Sequence, residues 1–284
     1  MGNVVRRLIA GLLLCAGGGA AAWGSDPRPY QLGFADPVAP DAVMQIEFHN
    51  QLLLPITTVI VLIVVALLWY VCYRFSEKRN PVPSKVTHNS VLEVVWTLIP
   101  VLVLAVIVFP SLRVLYASAA VPDAGLTLKV TGHQWYWSYE YPDEGVASFD
   151  STLLARTEED AQRLGVRRLM DVDNPVFVPT GVTVRLLLTS GDVIHNWAVS
   201  ELGVRTDAVP GRLNEEAFLI PEGKEGVYYG FCSELCGVDH SYMPIVVHAV
   251  TQQEFQEWLR QKQPPAVGGE AANAADVPPA AGAL

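Results

Sequence analysis

A chain of 284 residues has room for a modest membrane part and one soluble domain. Its 51% hydrophobic content exceeds that of soluble proteins, and the excess lies in a few long runs. The net charge of -10, concentrated after residue 120, argues against a nucleic-acid role and suits a basic protein partner.

At the N-terminus, Arg6, Arg7, an apolar run from Leu8 and small residues up to Ala22 read as an export signal over residues 1–24. Residues 25–48 are Pro-rich and acidic, and are expected to be an extended periplasmic segment. Leu52–Cys72 and Val91–Leu112 are apolar runs of spanning length, which predicts a two-helix transmembrane hairpin over residues 49–116. Trp69, Tyr70 and Tyr73 fit an interfacial belt, and Arg74, Lys78, Arg79 and Lys85 between the runs predict a cytoplasmic loop. Both chain ends then lie on the far side of the bilayer, which for an exported bacterial chain is the periplasm. Pro55, Pro100 and Pro110 are tolerable in spanning helices whose neighbours satisfy the freed carbonyls. Cys15 and Cys72 read as apolar filler.

After Ala120 the long runs give way to short alternating ones, such as Leu126–Thr131, Thr183–Leu188 and Pro244–Val250. Residues 117–263 are therefore expected to form an all-β sandwich or Greek-key barrel. Arg156–Arg168 reads as a short helix or excursion. Thr251-Gln-Gln-Glu254 is a capping box opening a helix through about Lys262. Residues 264–284 are Ala/Pro-rich and expected to be disordered. The chain has no Cys-x-x-Cys-His, so no c-type haem is expected on it.

Cys232 to Met243 places two thiols, an imidazole and a thioether in a dozen residues, with His195 upstream. Spacing leaves three uses open. Exported cysteines are usually oxidised to a disulfide. Two Cys and two His could enclose zinc, although Met243 would then have no role. Thiolate, imidazole and thioether together favour copper, and two thiolates can bridge two copper ions.

Ser190-Gly-Asp-Val-Ile-His195-Asn-Trp197, Thr206–Asn214, Gly230–Ile245 and Gly132-His-Gln-Trp135-Tyr-Trp137-Ser-Tyr-Glu140-Tyr141 together resemble subunit II of the haem–copper cytochrome c oxidases. The resemblance runs from about Gln31 to about Leu259 and implies a cupredoxin-like sandwich. It implies that Cys232 and Cys236 bridge two coppers, that His195 and His240 are terminal ligands, and that Met243 and the Glu234 carbonyl are weak ones. The Glu234 carboxylate is implied to bind a magnesium ion shared with subunit I, as a hard cation requires. Trp135 is implied as the electron entry point, standing exposed above the copper site in a strand of alternating aromatics. Glu140, Asp150, Asp173 and Asp192 match a cytochrome c docking pattern, and Glu93 matches the entrance of a proton path into subunit I.

The implied activity is electron entry from cytochrome c into an oxidase that reduces oxygen to water and pumps protons. Subunit I, and subunit III beside it, are the implied partners. Arg205 and Ser200 stand where relatives often carry Lys and Pro. Three rivals differ by specific features. A quinol oxidase subunit lacks the copper ligands, a nitrous oxide reductase needs a further catalytic domain, and a membrane copper chaperone needs neither Met243 nor the aromatic strand.

Overall fold

The computed structural model describes Tyr30 and residues 33–262. The expected export signal (1–24) and disordered tail (264–284) lie outside the described residues.

Helix α1 spans Pro40–Arg74 and helix α2 spans Ser90–Ser118; both are long and apolar enough to cross a membrane. The sequence expectation placed residues 25–48 in an extended segment, but helix begins at Pro40. Three local features start it there. Proline is suited to the first helical turn, Asp41 follows near the positive end of the helix dipole, and the Glu201 carbonyl receives the N–H groups of Val38 and Ala39 at 2.9 and 3.2 Å. Polar residues such as Glu47, Asn50 and Gln51 obscured this start because they lie outside an apolar run. At ~1.5 Å per residue α1 is roughly 52 Å long, well beyond the ~30 Å hydrocarbon core. Its first turns therefore stand clear of the lipid.

A wide π turn at His49–Leu53 precedes Pro55. Proline would clash with the carbonyl four residues back in a regular helix, and the wider turn relieves that conflict. In α2, Asn89 caps the first turn by accepting from the Leu92 N–H at 3.1 Å, and Pro100 and Pro110 lie inside the helix.

The domain that follows has ten strands: β1 (Leu126–His133), β2 (Tyr136–Tyr141), β3 (Val146–Ser151), β4 (Val176–Pro179), β5 (Thr183–Ser190), β6 (His195–Val199), β7 (Val204–Ala208), β8 (Asn214–Leu219), β9 (Gly226–Cys232) and β10 (Pro244–Val250). They form two five-stranded sheets, ordered β3-β2-β1-β5-β8 and β4-β10-β9-β6-β7. This is a cupredoxin-like β-sandwich joined to a transmembrane hairpin. β1 and β5 alternate buried and half-buried positions along their whole length, as a two-residue period requires. Trp137, Tyr139, Tyr141, Trp197 and Tyr228 are fully buried between the sheets.

These large rings carry polar tips that need partners when buried. The Trp197 indole N–H donates to the Tyr139 hydroxyl at 3.3 Å. The Tyr141 hydroxyl donates to the Phe177 carbonyl at 2.8 Å and accepts from the Phe177 N–H at 3.0 Å. Each bond crosses from one sheet to the other.

Helix α3 (Glu158–Leu164) lies inside the charged stretch read as a short helix or excursion, and α4 (Gln252–Lys262) follows the capping box. The Glu254 carboxylate accepts from the Thr251 N–H at 2.9 Å, and the Thr251 hydroxyl accepts from the Glu254 N–H at 3.3 Å. Phe255, Trp258 and Leu259 share one helix face and are buried against the sandwich.

The membrane hairpin meets the sandwich beside the turn after β6. The Gln45 amide donates to the Ser118 hydroxyl at 3.2 Å and to the Gly203 carbonyl at 3.3 Å, linking α1, α2 and the turn after β6. At Gly203, in the left-handed region, an added Cβ would approach the Ala42 nitrogen to 2.8 Å.

Glu216 on β8 is half-buried and accepts a hydrogen bond from Thr206. Burial, with the Asp41 carboxylate close by, pushes it from 4.5 up to about 7. Folding therefore takes up a proton between these values. Stability is greatest below the lower one, falls as pH rises through the window and levels off above it. Glu216→Gln keeps an acceptor for Thr206 and removes the charge. We expect thermal unfolding of the purified chain in detergent to shift upward at pH 8, by ~2–4 °C per kcal/mol recovered, and to change little near pH 4. A shift of equal size at both pH values would contradict this reading.

Candidate metal centre

His195 opens β6 and Cys232 closes β9, and these strands are neighbours, with Trp197 paired to Cys232. The two side chains thus emerge at the same end of one sheet. The chain then turns through residues 233–243 before entering β10, and this loop supplies Cys236, His240 and Met243. His195, Cys232, Cys236 and Met243 are all buried.

The Cys232 and Cys236 sulfurs lie 3.9 Å apart, and both thiols are free. Cys232 has the His195 Nδ1 at 3.9 Å and the Glu234 carbonyl at 3.3 Å. Cys236 has the His240 Nδ1 at 3.5 Å and the Met243 sulfur at 3.5 Å. Each thiol therefore has one imidazole and one weak donor beside it. One ligand atom each from His195, Cys232 and Cys236 fall within 4.8 Å of one another. Both sulfurs can reach the same ion, since twice a thiolate–metal bond of ~2.3 Å exceeds their separation. The donor set is soft, as a copper site requires.

Charge within this pocket is constrained. Burial opposes ionisation of Cys232, but hydrogen bonds from His195 and from backbone groups of Asn196 and Glu234 outweigh it, and its pKa falls. Burial raises the Cys236 pKa, and the neighbouring Cys232 thiolate raises it further. A cation held by both sulfurs would offset this repulsion and favour the doubly ionised pair.

A second layer of contacts aims the ligands. His195 Nε2 lies 2.8 Å from an Asp192 carboxylate oxygen. An ionised Asp192 accepts only, so Nε2 carries a proton, and Nδ1, facing Cys232, is the nitrogen that would give up its proton to bind a metal. Partial burial opposes the Asp192 charge, yet hydrogen bonds from His195, Val193 and Gln134 hold its pKa below the usual range. Gln134 also donates through its side chain to the Cys236 carbonyl at 2.7 Å, and Trp135 donates its indole N–H to the same oxygen at 3.3 Å. From beneath, the Trp137 indole donates to the Met243 carbonyl at 3.2 Å.

Trp135 lies in the turn between β1 and β2, not in the strand as expected. A two-residue turn puts the ring over the loop while Trp137, two residues on, points into the core. Trp135 is half-buried, with part of its ring exposed. Glu234 is exposed between the cysteines.

The four candidate docking acids each have an internal partner. Glu140 pairs with Lys129 at 2.8 Å, Asp150 accepts from Ser138 at 2.6 Å, Asp173 accepts from Thr152, and Asp192 holds His195. Glu93 sits in the first turn of α2, roughly 37 Å from Ser118 at ~1.5 Å per residue, and so is remote from this pocket.

Sequence reasoning missed the supporting residues Gln134 and Gly132. An added Cβ at Gly132 would lie 2.8 Å from the His195 ring. Gly132→Ala must therefore displace that ring, at about 1–3 kcal/mol. We expect copper affinity to fall by roughly tenfold or more while the sandwich remains folded by circular dichroism. Undiminished affinity would show that the ring position does not matter.

Residues 126–250 match the family described as cytochrome c oxidase subunit II, periplasmic domain, and residues 27–114 match its transmembrane domain. A Rickettsia felis protein named "Probable cytochrome c oxidase subunit 2" is 45% identical, over 87% of this chain and 76% of its own length. The cytochrome c oxidase subunit 2 of Phytophthora megasperma is 44% identical, over 83% of this chain and 88% of its own. The crystal structure of the periplasmic domain of the Bradyrhizobium japonicum cytochrome oxidase subunit II is similar at 45% identity. It covers 50% of this chain and 96% of that one, with a TM-score of 0.45. The chain belongs to the cytochrome c oxidase subunit II family, a membrane-anchored component of the oxidase complex.

Proposed function

We propose that this chain is the electron-entry subunit of its oxidase, with a dinuclear copper centre held by His195, Cys232, Cys236, His240, Met243 and the Glu234 carbonyl. The observation that carries the reading is the arrangement of donors. Two buried thiols stand 3.9 Å apart, and each has an imidazole and a weak donor within 3.9 Å. A closed zinc site would leave Met243 without a role. Bound copper supplies reversible one-electron storage. The chain's own residues do the rest. Asp192 fixes the His195 tautomer, the sandwich keeps water from the thiols, and the Cys236 carbonyl joins the pocket to the Trp135 ring.

In this reading cytochrome c docks over Trp135 and gives up one electron at a time, which passes to haem in subunit I. Oxygen reduction to water and proton pumping take place in that partner. The acidic face, including Glu140, Asp150, Asp173 and Asp192, draws a basic donor by long-range attraction. The exposed Glu234 carboxylate supplies an oxygen ligand to magnesium shared with subunit I. Glu93, at the opposite end of the hairpin, stands at the entrance of a proton path. The basic loop after α1 faces the cytoplasm of a bacterial cell, and the copper domain faces the periplasm.

Substitutions at the two ends separate these roles. Trp135→Gln in the assembled oxidase is expected to slow oxidation of cytochrome c by more than about tenfold, which is 1.4 kcal/mol in barrier height, at unchanged copper content. Glu93→Ala is expected to slow oxygen turnover while leaving the first electron transfer from cytochrome c at its normal rate. Stopped-flow reduction beside oxygen uptake checks both. Normal electron entry in Trp135→Gln would remove that residue from the path.

A further inference from the structure

The loop from Cys232 to Met243 is held on its inner side by Gln134, Trp135 and Trp137. Its outer side carries two local bonds, from the His240 N–H to the Gly237 carbonyl and from the Tyr242 N–H to the Asp239 carbonyl, at 3.3 and 2.8 Å. Asp239 and Tyr242 bracket the short 3-10 turn His240–Tyr242. One side chain from a distant segment reaches both. Arg156 Nη2 lies 2.9 Å from an Asp239 carboxylate oxygen, and the guanidinium sits 4.7 Å from the centre of the Tyr242 ring.

Arg156 stands on a rigid base. Ala155 before it is buried, and its carbonyl accepts from the Leu169 N–H at 2.9 Å. The Leu154 N–H donates to the Asp171 carbonyl at 3.0 Å. Thr157 after it caps α3 by accepting from the Asp160 N–H at 3.1 Å. Asp171 in turn accepts from the Tyr229 hydroxyl at 2.8 Å, tying this segment to β9, the strand that ends in Cys232. The nearby Arg163 and Arg168 pair with Asp160 and Glu158.

We propose that Arg156 is a positioning residue for the copper loop, clamping the turn from which His240 and Met243 approach Cys236. The inference rests on the copper reading above, although the clamp itself is a property of the chain. Each contact alone is weak, because the Arg156 side chain is about half exposed. Their value lies in acting together on one short turn that carries two donors. A guanidinium is planar and can lie over the ring while bonding the carboxylate, which an ammonium cannot do with both.

The test compares Arg156→Ala and Arg156→Lys in the assembled oxidase. In copper-depleted protein, amide exchange at residues 239–242 is expected to quicken about tenfold in Arg156→Ala. In copper-loaded protein, release to a chelator should quicken similarly, and the copper resonance spectrum should shift at full loading. Arg156→Lys should fall between Arg156→Ala and the unchanged protein. Exchange and release at the original rates in Arg156→Ala would overturn the proposal. If Arg156→Ala fails to assemble, Arg156→Lys and Asp239→Asn answer the same question, and original rates in both would overturn it. Failure of the unchanged oxidase to bind copper would sink the proposed function, while the metal-free exchange rates would still report on the clamp.

Discussion

Two sulfurs 3.9 Å apart in a buried pocket repel each other when both are ionised, and a cation held by both would offset that repulsion. The rest of the domain serves that constraint. Strand ends β6 and β9 bring His195 and Cys232 together, and one loop carries the remaining donors. With most donors on a single loop, closing the site costs little chain entropy. His195 arrives from another strand, so a bound metal would staple two parts of the sandwich.

Two remote segments converge on the loop. The β1–β2 turn supplies Gln134 and Trp135, both bonded to the Cys236 carbonyl. Asp192 joins that turn to His195 by accepting from the Gln134 N–H at 2.6 Å. The segment around α3 supplies Arg156. The result is a loop of irregular backbone with partners on its inner and outer sides. The proposed electron-transfer role would need such support, because movement on gaining or losing an electron slows transfer.

The hairpin is tied to the sandwich by short contacts through Gln45, Ala42 and Glu201. Helix α1 runs past the bilayer to make them. This fixes the height of the thiol pocket above the membrane, as the proposed electron transfer to a membrane-embedded partner would require. Glu216, at the same junction, reports its packing through its raised pKa.

The donors were legible in the sequence because most lie within a dozen residues and their chemistry is unusual. The two spans were legible from the length of their apolar runs, and the strands from their alternation. Three features were not. The start of α1 at Pro40 was hidden by polar residues that leave the lipid before the helix ends. Gln134 meets Cys236 across 102 positions, and no local pattern encodes that meeting. Arg156 resembles any exposed charge until the fold sets it against Tyr242. The central claim is tested most directly by counting copper in the purified oxidase and recording its electron paramagnetic resonance spectrum. Two coppers at this site, with hyperfine structure from one electron shared over both nuclei, is the predicted result. A single copper, or a disulfide joining Cys232 to Cys236 with no metal, would contradict the account.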